Sequence, residues 1–91
     1  MVELVVNKCW GGFSLSELAC ETLGLSNPYE DIARDDYRLV ATVRLLGEKA
    51  NGRHARLEIV ELPFETTDWH IEDYDGCETV IYVVDGKLHF A

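Results

Sequence analysis

Residues 69–90 read WHIEDYDGCETVIYVVDGKLHF, and the two Asp-Gly pairs within them, Asp75-Gly76 and Asp85-Gly86, decide the fold. A two-residue hairpin turn matching the twist of its strands needs positive φ at both central positions. Gly adopts that conformation freely and Asp tolerates it, so Asp-Gly between β-rich runs is a strong hairpin signal. The flanking runs are rich in Val, Ile, Tyr and Trp, which suit a pleated, half-buried surface. Strands are therefore predicted over Trp69–Asp75, Thr79–Val84 and Lys87–Phe90. Upstream, residues 56–62 alternate, with Leu57, Ile59 and Glu61 on one side, and Pro63 stops that run because it has no N–H to donate. Val2–Lys8 is a fifth strand, Val/Leu-rich and interrupted by Glu3.

Two helices fill the space between. Trp10-Gly11-Gly12-Phe13 reads as a turn. Ser14 is the expected N-cap of the first helix, with Glu17 completing a Ser-x-x-Glu capping box. Leu15, Leu18, Ala19, Thr22 and Leu23 form one helical face. Gly24 suits the left-handed position past the helix end, Leu25 can pack back, and Asn27-Pro28 confirms the stop. Tyr29–Arg34 is ambiguous. Asp35 or Asp36 caps a second helix running to about Ala50, with Leu39, Val40, Val43, Leu46 and Ala50 as its apolar stripe, and Asn51-Gly52 ends it. The order is β-α-α-β-β-β-β. The expected fold is α+β, a small single domain with a mostly antiparallel sheet of about five strands and two helices on one face.

Composition narrows the function classes. The 91 residues carry 17 acids against 8 bases, a net charge of −9, which argues against a general nucleic-acid binder. The charge is uneven: residues 65–91 hold one base against seven acids, net −6, whereas residues 1–64 are only −3. No run approaches the ~18 apolar residues of a membrane span, and no signal peptide is visible. Cys9, Cys20 and Cys77 show no CxxC or paired spacing, so reduced thiols in a cytoplasm are expected.

Two places offer chemistry. At the first, Lys8, Trp10, Gly11, Gly12, Phe13 and Ser14 form a strand–turn–helix junction. A helix N-terminus presents free N–H groups to an anion. Lys8 would neutralise it, and Trp10 or Phe13 would stack on a flat ring. A second chain could complete such a site with Trp69, His70 or Tyr74. The plainer reading is a tight turn with Trp10 and Phe13 in the core. The junction is neither a P-loop nor a GxGxxG. At the second, Glu65, Asp68, Glu72, Asp73, Asp75 and Glu78 interleave with Trp69, His70 and Tyr74. Strand alternation puts Trp69, Ile71, Asp73 and Asp75 on one face and His70, Glu72 and Tyr74 on the other. Glu72, Asp73 and Asp75 would meet a basic protein partner; the plainer reading is a solvated edge that discourages aggregation. The segment lacks a Ca²⁺-loop pattern, and His54, His70 and His89 share no metal-ligand spacing, so no metal and no cofactor are expected. Arg34, Arg38, Arg44, Arg53 and Arg56 supply most of the cations, and Arg53-His54-Ala55-Arg56 reads as a patch balancing the acidic last third. Catalysis through Cys9 or His70 would need a base in reach of the nucleophile.

The decapeptide Asn7-Lys8-Cys9-Trp10-Gly11-Gly12-Phe13-Ser14-Leu15-Ser16 resembles the opening of a family of small uncharacterised bacteriophage and prophage proteins. Leu46-Gly47-Glu48-x-Ala50-Asn51-Gly52, Val60-Glu61-Leu62-Pro63 and Ile71-Glu72-Asp73-Tyr74-Asp75-Gly76-x-Glu78 extend the likeness over most of the chain. Tyr37 departs from it, where that family often carries Pro, and only some of its members have the Val83–Lys87 hairpin. The resemblance implies a setting: a phage gene product in a bacterial host cytoplasm, of a kind that often binds and inhibits host or defence proteins. The leading expectation is a non-enzymatic binding protein that sequesters an anionic small molecule, such as a nucleotide signal, alone or as a homodimer or higher homo-oligomer. The alternative is an acidic, nucleic-acid-mimicking inhibitor of a host protein. A small Cys/His enzyme ranks third.

Overall fold

The computed structural model describes residues 2–28 and 30–91. Strand β1 (Val2–Asn7) leads to helix α1 (Glu17–Leu23) and helix α2 (Tyr37–Leu46), which tightens into a 3₁₀ turn over Gly47–Ala50. Strands β2 (Leu57–Leu62), β3 (Thr66–Tyr74), β4 (Cys77–Val84) and β5 (Lys87–Phe90) follow. The class is α+β, in the expected order, and all pairings are antiparallel. The strands divide between two sheets, β1-β2 and β3-β4-β5, where sequence reasoning put all five in one. Pro63 ends the β2 ladder, the Thr66 N–H closes a turn on the Pro63 carbonyl at 3.0 Å, and β3 starts a new sheet. Of the ambiguous segment 29–34, Tyr29 lies outside the described residues, and residues 30–34 belong to no helix or strand.

Three layers result. Val5 and Leu57 pack with Leu15, Ala19, Leu39, Val40 and Val43 under the helices, and Ile59 lies against the same cluster. The opposite face of β1-β2 sends Leu4, Val6 and Leu62 against Val80, with Trp69, Ile71 and Tyr82 packed around them. Leu4, Val5 and Val6 are thus fully buried in succession because β1 is covered on both faces. Burying each such side chain contributes roughly 1.5–3 kcal/mol.

The turn chemistry is as expected: Asp75 and Gly76 have φ of 50° and 88°, Asp85 and Gly86 of 53° and 74°. The caps are partly different. Ser16, not Ser14, caps α1, its Oγ accepting from the Ala19 N–H at 3.1 Å. Leu15 forms an antiparallel bridge with Asn51, and the Ser14 carbonyl accepts from the Gly52 N–H at 3.0 Å. That pairing holds the chain extended past Ser14, so the helix starts later. Asp36 rather than Asp35 caps α2 through the Arg38 N–H. β3 begins at Thr66, ahead of the expected Trp69, with a register shift between Thr66 and Asp68. Among the described residues, no helix is long and apolar enough to cross a membrane.

Candidate functional site

The corner where the 8–13 loop meets the β3–β4 turn collects most of the residues singled out above. Asn7, fully buried, ties it together. Its Nδ2 donates to the Cys9 carbonyl at 2.6 Å and the Gly76 carbonyl at 2.7 Å, and its Oδ1 accepts from the Arg56 N–H at 2.7 Å. Its own backbone N–H donates to Glu78 Oε1 at 2.7 Å. Glu78 is only 3% exposed and is held bidentately by Arg34, at 2.6 and 2.8 Å. The guanidinium lies 3.7 Å over the Phe13 ring, a cation–π contact. Gly76 abuts the loop so closely that a Cβ there would sit 2.5 Å from the Gly12 nitrogen. Gly11 abuts the His54 backbone in the same way, at 2.1 Å.

Lys8 points its Nζ at the Glu78 carbonyl, 2.8 Å, and the Ala91 carbonyl, 3.0 Å. The ammonium is thus engaged in joining β1 to the end of the second sheet. Because α1 begins beyond Ser16, its first N–H groups lie a full turn downstream of Gly12 and are served by Ser16. The expected junction of Gly-Gly turn, Ser14 cap and helix N-terminus is therefore not assembled. Trp10 stays out of the core, 65% exposed, edge-on to Tyr74 at 5.8 Å between ring centres. Phe13 is half-buried and belongs to the Arg34 contact. Trp69 packs inward against the Val80 cluster, while His70 and Tyr74 point outward, so these three do not converge.

The acidic segment splits in two. Glu65, Asp68, Glu72, Asp73 and Asp75 are exposed. Asp73 accepts from the Gly76 N–H at 2.7 Å, and Glu72 sits 3.1 Å from His70 Nε2. Glu78 leaves the expected patch altogether. Sequence reasoning missed the Asn7–Arg34–Glu78 knot, yet a signal existed: Glu78 alternates with Val80 and Tyr82 on an apolar face, where a carboxylate needs a partner. The arginines also correct the expected balance. Arg38 pairs with Asp36, Arg44 with Glu3 and Glu61, and Arg56 with Glu58; among the described residues only Arg34 pairs with an acid of the last third.

Catalytic geometry is thin. Cys9 Sγ donates to the His54 carbonyl, not to an imidazole. Among the described residues, no group of three His, Cys, Asp or Glu side chains is arranged to hold a metal. Surface grooves along α2, beside Arg34 and at the end of α1 each carry two carboxylates: Glu3 and Asp35, Glu30 and Asp31, Glu17 and Glu21. Comparison with family models, curated proteins and solved structures finds no match.

Proposed function

We propose that this chain is a non-enzymatic binding protein that docks a basic protein partner through the acidic edge strand β3, imitating nucleic acid. One observation carries the reading. Glu65, Asp68, Glu72, Asp73 and Asp75 are exposed, and none pairs with a Lys or Arg among the described residues. Elsewhere Glu3, Asp36, Glu58, Glu61 and Glu78 each face an arginine, whereas Glu17, Glu21, Asp31, Asp35 and Glu48 around the helices are exposed without one among the described residues. Residues 65–91 hold one base against seven acids, so the negative field is strongest along this edge, where it steers a positive surface into contact. Trp10 and the 73%-exposed Tyr74 stand at the end of that edge as flat anchors, a residue type enriched at interface centres.

The resemblance to small phage proteins supplies the setting: a nucleic-acid-binding host or defence protein met in the bacterial cytoplasm. Sequestration of an anionic small molecule at the Gly11-Gly12 turn has less support, because Lys8 already serves two carbonyls. The test is capture from host lysate followed by a salt titration of the purified pair. Affinity should fall steeply with salt, and Glu72→Lys with Asp73→Lys should abolish capture. Binding that withstands high salt, or that ignores the charge reversal, would overturn the reading.

A further inference from the structure

The two edges of the three-stranded sheet are built oppositely. β3 carries Asp68, Glu72 and Asp73 and a register shift, features that keep other strands away. Among the described residues β5, Lys87-Leu88-His89-Phe90, is the one strand without a side-chain carboxylate, in a chain of net charge −9. Among the described residues, its far side has no neighbouring strand. Val80 and Ala91 exchange both backbone hydrogen bonds, at 2.9 and 2.8 Å. Bonded and non-bonded pairs alternate along an antiparallel ladder. Tyr82↔His89 and Val84↔Lys87 are therefore the bonded pairs, and Leu88 and Phe90 are not bonded to β4. Their N–H and C=O groups point to the open edge. Their side chains, 64% and 67% exposed, lie on the sheet's outer face beside Val83 and Ile81. The opposite face is the one that packs on β1-β2 through Val80 and Tyr82.

We infer that β5 is a self-association edge: it pairs antiparallel with the β5 of a second copy about a two-fold axis, joining two three-stranded sheets into one of six strands. The occupant follows from charge and register. Two molecules this acidic can bring their backbones together at least cost along the strand that has no acid. A two-fold axis through His89 sets Leu88 against Phe90 of the second copy and Phe90 against its Leu88. Among two-fold registers, this one engages the open backbone groups of both residues on both chains. It also merges Ile81, Val83, Leu88 and Phe90 of each copy into one apolar stripe. A four-residue edge is smaller than the ~800 Å² per side of a standard interface, so a dissociation constant of micromolar order or weaker is expected. The β3 edge stays free in this dimer, so the inference stands apart from the function proposed above.

Sedimentation velocity over a concentration series from about 1 to 500 µM, spanning that affinity, tests it. The expected result is a rise to twice the 10.3 kDa chain mass. Leu88→Pro removes an N–H that points away from β4, which an edge strand tolerates, and should weaken association about a hundredfold or more. Phe90→Lys should do the same by placing a charge in the stripe, and keeps the test decisive should the proline variant fail to fold. Thr67→Lys, on the β3 edge, should leave the dimer intact. Amide exchange at Leu88 and Phe90 should slow as the dimer forms. A monomer throughout, a dimer indifferent to both β5 substitutions, one dissolved by Thr67→Lys, or one without protection at Leu88 and Phe90 would each overturn the inference.

Discussion

At the residue scale, Glu78 organises the molecule. Its carboxylate sits on the buried face of β4, yet Arg34 and the Asn7 N–H satisfy both oxygens. Removing one partner of a buried pair strands the other charge, which costs about 3–5 kcal/mol. Arg34→Met, which leaves the 3%-exposed Glu78 carboxylate without its cation, should therefore lower unfolding free energy in urea by that amount, a large share of the ~5–15 kcal/mol typical of a domain. An unchanged denaturation midpoint would refute this role. The thiols differ just as clearly. Burial, reinforced by the nearby Glu30 and Glu17 charges, pushes the Cys20 thiol above its ordinary value, so less of it is the reactive thiolate. A thiol reagent at mildly alkaline pH should modify the half-buried Cys9 and Cys77 first and reach Cys20 only as the chain unfolds. Labelling followed by peptide mass mapping reads this directly.

At the element scale, local chemistry was legible in the sequence, and choices set by distant contacts were not. Both Asp-Gly hairpins and the Gly24 helix stop depend on a few adjacent residues and stand where the sequence puts them, and the α2 cap is Asp36, one of the two adjacent candidates. Ser14 and Ser16 are both sound caps by their own chemistry. The Leu15–Asn51 bridge, more than thirty residues apart in sequence, decides between them. Ser16→Ala should thus cost about 1 kcal/mol in chemical denaturation, with Ser14→Ala costing less; equal effects would contradict the assigned cap. The division into two sheets was likewise hidden, because Pro63 marks where β2 ends but not where β3 goes. The candidate site was only half visible for the same reason. Its exposed carboxylates all fall within residues 65–75, whereas Asn7, Arg34 and Glu78 come from three separate segments. Gly76 locks that corner. At φ 88°, and with a Cβ falling 2.5 Å from the Gly12 nitrogen, Gly76→Ala should cost about 2 kcal/mol or more. A melting temperature within a degree of the parent's would count against so close an approach.

At the scale of the whole molecule, the distribution of charge matters more than its total. Arginines pair Glu3, Glu58 and Glu61 of the two-stranded layer and Asp36 at the start of α2, whereas among the described residues of the third layer only the buried Glu78 has one. Acid stability should therefore be governed by the partnered carboxylates. The hydrogen bond from Arg44 holds the Glu3 carboxyl below its ordinary value, and the one from Arg38, aided by that residue's backbone N–H, does the same for Asp36. Glu30 is held down by the backbone N–H and then the hydroxyl of Ser26. In the unfolded chain these groups take up protons near the ordinary carboxylate range, about 4, while in the folded chain they resist until lower pH. The unfolded state therefore binds more protons as acid is added, and stability falls with pH there. The contribution is fully present above that range and is lost as pH drops through the lowered folded values. Urea unfolding at a series of pH values should give free energies falling steadily below about pH 4. Glu3→Gln removes one of the three groups that refuse protons, so its acid slope should be shallower than the parent's. A parent curve that rises on acidification through this window, or a Glu3→Gln curve of equal slope, would mean that the partnered carboxylates do not set the acid limit.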